Sequence, residues 1–137
     1  DAESATPPDV DPHARRQVMR NQELMKFLFE PFTVDLKRGV QIEPENRQEW
    51  QSLYVATFRL GEAMNLLYFR EGKDYMKTAE WRQMVTDSRQ AALDVGAAVR
   101  KRDFPEAQVR YERLIQTCND CHRKFEPGDP TIVPAWQ

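Results

Sequence analysis

Several features that would assign this chain to a particular class of protein are scarce in its sequence. It has 5 glycines, 2 histidines and 2 cysteines in 137 residues, too few cysteines for a disulfide framework. Its formal net charge of −2 gives no reason to expect nucleic acid or a membrane surface as a partner. No apolar run approaches the ~18 residues of a membrane-spanning helix, so we expect no span.

What is present is the composition of one ordinary domain, with 40% hydrophobic and 31% charged residues. The segment 1–10 is polar and contains proline, and we interpret it as a flexible N-terminal tail. We place the domain at 11–126 and an extended C-terminal tail with three prolines at 127–137. The chain starts without a basic-then-apolar leader, which resembles either a mature chain after leader removal or a shortened one.

Low glycine content and an apolar residue every three or four positions predict an all-α protein. We expect four helices that start at Asp11-Pro12, Pro44, near Thr78 and Asp103. Pro31 should end or kink the first helix, and 33–43 should form a connection with room for a short helical turn. At the fourth helix, Asp103 should cap the N-terminus while Glu106 reaches back to the cap N–H. Such segments with short connections predict an antiparallel four-helix bundle.

Each predicted helix carries a stripe of residues expected in the core. One of these stripes runs along the third helix. Its members are Trp81, Met84, Val85, Ser88, Ala92, Val95 and Val99.

The last predicted helix ends in the run Cys118-Asn119-Asp120-Cys121-His122, a C-x-x-C-H pattern typical of covalent c-type haem attachment. Two thiols three positions apart lie on nearly one helical face, where each can add to a haem vinyl group. His122 then projects its imidazole towards the iron from the same side. We therefore predict one covalent haem c, bound through Cys118 and Cys121 near the end of the last helix, with His122 as an iron ligand.

Three other interpretations of this run stay open. A redox-active C-x-x-C usually sits at a helix N-terminus in a βαβ context, whereas this pair falls late in a helix. A zinc site needs four ligands, and only the remote His13 could join the three residues of the run. The two cysteines could also be ordinary core residues.

At these residues the chain resembles the class II c-type cytochromes, the cytochrome c′ and cytochrome c-556 group. The similarity runs from about residue 12 to residue 126 and implies a four-helix bundle with its haem motif near the C-terminus. It rests on Arg15-Arg16-Gln17-Val18-Met19, on Trp81, and on the C-x-x-C-H run followed by Phe125. The family usually has arginine after that aromatic residue. Here Glu126 occupies the position, and Arg123 or Lys124 would have to replace the arginine.

The resemblance also implies a set of ligands. Met19 stands four residues after Arg15, as the distal residue does in the family, although Gln17 lies one place later than in the family pattern. Met19 is therefore the expected sixth iron ligand, and Arg15 or Arg16 the expected haem-propionate partner. His13 would be the ligand of a bis-histidine alternative. Three aromatic residues are expected to wall the haem, each of which could equally be core: Trp81, Tyr111 and Phe125.

The function that follows is electron transport by a monohaem cytochrome with six-coordinate His/Met iron, a carrier and not an enzyme. The alternative is a five-coordinate, cytochrome c′-like protein that binds nitric oxide or carbon monoxide. A redox enzyme has little support, because His13 and Glu23 are the only candidates for a distal acid or base. We expect a periplasmic location and a redox partner protein. The family often forms homodimers through its first two helices, and Leu24 and Phe27 are apolar residues that could serve such a contact.

Overall fold

The computed structural model describes residues 18–70, 72–128 and 130–136. Within these residues the protein is all-helical and contains no strand. The first helix, α1, has three consecutive parts: an α-helical turn Asn21–Leu24, a π-helical segment Met25–Phe29 and an α-helical part Glu30–Gly39. The other three long helices are α2 (Arg47–Tyr68), α3 (Ala79–Arg100) and α4 (Phe104–Phe125). A short 3₁₀ helix, Asp74–Lys77, precedes α3.

Pro31 does not end the first helix, so the predicted connection over 33–43 is wrong for its first seven residues. Proline cannot donate the backbone hydrogen bond that the helix would need at this point. The helix is wound as a π-turn immediately before it, with the Glu30 N–H bonded to the Met25 carbonyl. A π-turn shifts the hydrogen-bond register by one residue, and the helix then continues through Pro31 to Gly39.

The remaining helix starts follow local capping chemistry. Asn46, rather than Pro44, caps α2 by accepting a hydrogen bond from the Glu49 N–H at 2.9 Å. The third long helix starts next to Thr78, as predicted, and Thr78 caps it in the same way. Asp103 caps α4 through the Glu106 N–H at 3.2 Å.

The predicted capping box at α4 also requires a hydrogen bond from the Asp103 N–H to the Glu106 side chain, and this part of the prediction is wrong. The Asp103 N–H bonds the Ala98 carbonyl instead of the Glu106 carboxylate. Glu106 pairs with Arg110 at 2.8 Å.

The long helices pack on one another in chain order to form a helical bundle. The most extensive contacts join α2 to α3 and α3 to α4, and α1 packs on α2. The predicted stripe of α3 is buried in this core except for Met84, which is only partly buried. Within the described part of the chain, no helix is both long enough and apolar enough to cross a bilayer.

Candidate functional site

The C-x-x-C-H run occupies the last two turns of α4. The helix carries it to this point because Asp103 and Pro105 start α4 cleanly and its apolar stripe holds it on α3. Cys118, Cys121 and His122 are all partly buried, and residues three and four apart share one face of a helix. The structure therefore keeps the three side chains of the motif together on one side of α4.

Both thiols sit in apolar surroundings that keep them protonated. Burial raises the pKa of the Cys118 thiol to about 12. Burial, together with the nearby Glu126 carboxylate, raises the pKa of the Cys121 thiol to about 11. A redox-active C-x-x-C pair needs a lowered thiol pKa and gains it from a helix N-terminus. The shifts run in the opposite direction here, which argues against the dithiol-redox interpretation.

The ring of His122 is held by a hydrogen bond from outside α4. Its Nδ1 lies 2.6 Å from the backbone carbonyl oxygen of Thr131. A carbonyl oxygen can only accept a hydrogen bond, so Nδ1 must carry the proton. In the neutral ring, Nε2 then has the free lone pair, which is the state a histidine needs for ligating a metal through Nε2.

Three aromatic rings meet beside the end of α4. Phe125 stacks on Tyr75 at a centroid distance of 4.7 Å and meets Trp81 edge-on at 5.2 Å. Tyr75 and Trp81 are 5.3 Å apart. Two of the predicted haem-wall residues, Trp81 and Phe125, are thus brought together. Tyr75 was missed, because the 3₁₀ helix that carries it has no periodic pattern.

Trp81 also presents an unsatisfied polar group. Its indole Nε1 is buried and is the one buried side-chain nitrogen or oxygen without a hydrogen-bond partner among the described residues. Buried N–H groups are normally paired, and an exception calls for an explanation.

Tyr111, the third predicted wall residue, belongs to a different group of contacts. It is fully buried, and its hydroxyl donates a hydrogen bond of 2.8 Å to the Ala135 carbonyl. Its ring packs against Trp136 at 5.0 Å. Burial raises the pKa of Tyr111 to about 12. The structure therefore assigns this residue to holding the chain's C-terminal segment.

That segment, residues 130–136, will be called the C-terminal strap. It returns along α4 and is fixed at successive points. The side-chain amide of Asn119 accepts from the Val133 N–H at 2.7 Å and donates to the Val133 carbonyl at 2.9 Å. The Trp136 Nε1–H donates to the Glu112 carboxylate at 2.7 Å. The prediction of an extended tail gave no sign of these contacts.

The predicted distal residues are only partly described. Arg15, Arg16 and His13 lie outside the described residues. Met19 lies in a bend before α1 starts at Asn21, not on the helix as expected. It is partly buried against the core, and its carbonyl accepts a hydrogen bond from the Arg70 guanidinium.

Met25 is the next methionine along the chain after Met19. Met25 opens the π-helical segment of α1 and is also partly buried against the core. Single-turn π segments occur often at functional sites. Pro31 follows shortly after this segment and helps to explain the altered winding.

The two basic residues proposed as replacements for the family's arginine are both engaged elsewhere. Arg123 pairs with Asp120 at 3.5 Å, and Lys124 pairs with Glu80 at 2.7 Å. Glu126 instead places a carboxylate near Cys121 and Tyr75, where it adds to the effect of burial in raising the pKa of both groups.

An apolar groove of about 680 Å³ lies between α1 and α2, where Leu28, Phe32 and Leu66 contribute to its walls. Leu24 is fully buried, so it cannot form part of a docking surface as expected. Phe27 is 58% exposed. A smaller groove of about 260 Å³ lies on the surface between α2 and α3. Neither groove is lined by residues of the C-x-x-C-H run.

Among the described residues, no three histidine, cysteine or acidic side chains converge into a group that could hold a metal ion by themselves. The zinc interpretation therefore gains no support from this part of the chain. No family model and no curated protein matches the sequence.

Proposed function

We propose that the chain is a monohaem c-type cytochrome, an electron carrier of the periplasm. Cys118 and Cys121 would hold the haem through thioether bonds, and His122 would ligate the iron through Nε2. The observation that carries the proposal is the hydrogen bond from His122 Nδ1 to the Thr131 carbonyl. It prepares the ring of the histidine in a C-x-x-C-H run as a ligand through its other nitrogen.

The residues around the motif fit such a group. The Trp81 Nε1–H is a buried donor without a protein acceptor, and a haem carries carboxylate groups that could accept its hydrogen bond. The rings of Tyr75, Trp81 and Phe125 supply flat apolar surface beside the cysteines. Haem iron supplies the one-electron redox chemistry, and the protein sets ligation, access and polarity.

The sixth ligand distinguishes the proposed carrier from its alternative. A thioether sulfur from Met19 or Met25 on iron would raise the reduction potential relative to bis-histidine ligation and would suit an electron carrier. An open distal position would instead suit the cytochrome c′-like function, with nitric oxide or carbon monoxide as ligand. Met19 and Met25, both partly buried, are the side chains that would fill the sixth position in the carrier.

The proposal includes a redox partner protein and a homodimer through the first two helices. The apolar groove between α1 and α2 and the exposed ring of Phe27 support the homodimer.

Covalent attachment can be tested by spectroscopy after co-expression with a cytochrome c maturation system. The purified chain should give the pyridine haemochrome spectrum of a haem with both vinyl groups saturated. Cys118→Ser and Cys121→Ser should each shift that spectrum towards a single thioether, and the double variant should lose covalent haem. Val109→Ala, on the exposed face of α4, is the matched control. Covalent haem in the double variant would refute the assignment of the thiols.

A further inference from the structure

The C-terminal strap runs alongside the proposed haem-binding end of α4 in a regular way. Its contacts pair Thr131 with His122, Val133 with Asn119, and Ala135 with Tyr111. The strap therefore runs antiparallel to the helix. Four extended residues span ~13 Å, close to the ~16 Å by which an α-helix rises between Tyr111 and His122. An extended strap can thus match the helix at each of these points.

Hydrogen bonds to side chains of α4 hold the strap at several positions. Asn119 is buried, and its amide satisfies both backbone groups of Val133. Further towards the C-terminus, the fully buried Tyr111 and the Trp136–Glu112 hydrogen bond fix the strap again. These bonds lie at Val133 and on its C-terminal side, and Thr131 is only two residues before Val133.

Asn119 is one of the two variable positions of the C-x-x-C-H run. The same turn of helix therefore bears the two cysteines, the histidine and the anchor of the segment that contacts the histidine. Any displacement of the strap would move the Thr131 carbonyl away from His122 Nδ1 and release the ring.

We propose that the C-terminal strap is the positioning element of the iron-ligating histidine, with Asn119 as its anchor and the Thr131 carbonyl as the group that orients His122. This inference rests on the proposed function. A carbonyl that accepts from Nδ1–H fixes the ring orientation and raises the basicity of Nε2. More electron density at the ligand stabilises ferric over ferrous iron, so the strap lowers the reduction potential.

The test compares four haem-loaded proteins: the full chain, a chain that ends at Asp129 and so lacks the strap, Asn119→Ala, and Val109→Ala as the control. Intact mass first establishes whether haem is attached, and circular dichroism whether the bundle is folded. Hydrogen exchange at the Trp136 indole N–H, whose acceptor Glu112 is left unchanged, reports whether Asn119→Ala has released the strap. Redox titration and the exchange rate of the His122 Nδ1 proton in the ferrous protein then report on the ligand.

At a fixed applied potential, we expect the ratio of ferrous to ferric protein to be about threefold or more higher in the shortened chain than in the full chain. A change of that order follows when one hydrogen bond differs in strength between two states. The Nδ1 proton should exchange faster in the same protein. Asn119→Ala should change both quantities in the same direction, and Val109→Ala should change neither.

A folded, haem-loaded chain that ends at Asp129 and keeps the potential and the Nδ1 exchange rate of the full chain would overturn the inference and leave the proposed function standing. If the full chain itself carried no covalent haem, the proposed function would fail instead. If the shortened chain did not fold, the same two readouts on Asn119→Ala, with fast exchange at the Trp136 indole N–H, would decide the matter.

Discussion

Gly96 of α3 lies directly against Thr57 of α2, and replacing it with alanine should destabilise the protein. A methyl group at this position would stand 2.7 Å from Thr57 Oγ1 and 3.5 Å from Thr57 Cβ. Thr57 is fully buried, and its hydroxyl donates to the Tyr54 carbonyl at 2.6 Å. The threonine therefore cannot turn away without losing this bond, and the two helices would have to move apart.

Two opposing contributions decide the size of the effect. Alanine is better than glycine inside a helix by about 0.5–1 kcal/mol, whereas overpacking a core costs about 1–3 kcal/mol. We therefore expect Gly96→Ala to lower the free energy of unfolding by about 1 kcal/mol. Urea denaturation followed by far-ultraviolet circular dichroism measures this quantity.

The chain supplies a matched control at Gly61, which is also buried inside a helix. A methyl group there would lie 3.4 Å from Leu93 Cδ2, which is an ordinary contact. Gly61→Ala should therefore raise the free energy of unfolding by about 0.5–1 kcal/mol. In a Thr57→Ala protein, which lacks the hydroxyl, Gly96→Ala should also raise the free energy of unfolding. If Gly96→Ala stabilised the otherwise unchanged protein, the close approach of α2 and α3 would be refuted.

Three further predictions concern the site. Trp81→Phe deletes a buried N–H without a partner, which relieves ~1–3 kcal/mol and offsets the lost ring contacts. Urea denaturation should therefore show that Trp81→Phe changes the free energy of unfolding of the haem-free chain by no more than about 1 kcal/mol. In the haem-loaded protein the same substitution should lower it by more. Equal changes in the two proteins would show that the indole N–H donates to no group of the haem. Met19→Ala or Met25→Ala should abolish the long-wavelength ferric band of methionine-ligated haem, and Met84→Ala should retain it. High-spin spectra with ready carbon monoxide binding in the unchanged protein would favour the gas-binding alternative. The haem-free chain should lose stability above pH 9, because unfolded thiols ionise near their ordinary pKa of 9.0 while burial holds the folded ones at about 12 and about 11. Urea titrations at several pH values should show a smaller loss when serine replaces both cysteines, and an unchanged loss would contradict the burial of the thiols.

The parts of this structure that could be predicted from sequence are those set by neighbouring residues. Thr78 and Asp103 cap their helices through backbone groups three residues away, so a short segment contains all the relevant information. The same holds for the motif, whose two cysteines and histidine share one helix face because of their spacing. Pro31 is the instructive exception. Proline usually ends or kinks a helix, but here a π-turn precedes it and the helix continues. No pattern in the preceding residues predicts that π-turn.

The contacts that complete the site join residues far apart in the sequence. Asn119 and Val133 are 14 residues apart, and Tyr111 and Ala135 are 24 apart. Nothing in a proline-containing tail signals that its carbonyls will meet these side chains. Tyr75 likewise gains its role only by stacking on Phe125 from a separate element. Such pairings depend on how the helices pack, and composition or periodicity cannot reveal them.

The most direct test of the central claim is mass spectrometry of the chain after expression with a cytochrome c maturation system. Trypsin should release the peptide between Arg113 and Arg123, which holds both cysteines and His122. We predict that this peptide carries the added mass of one haem and has no thiol that an alkylating reagent can modify. A peptide recovered without that mass and alkylated at Cys118 and Cys121 would contradict the account.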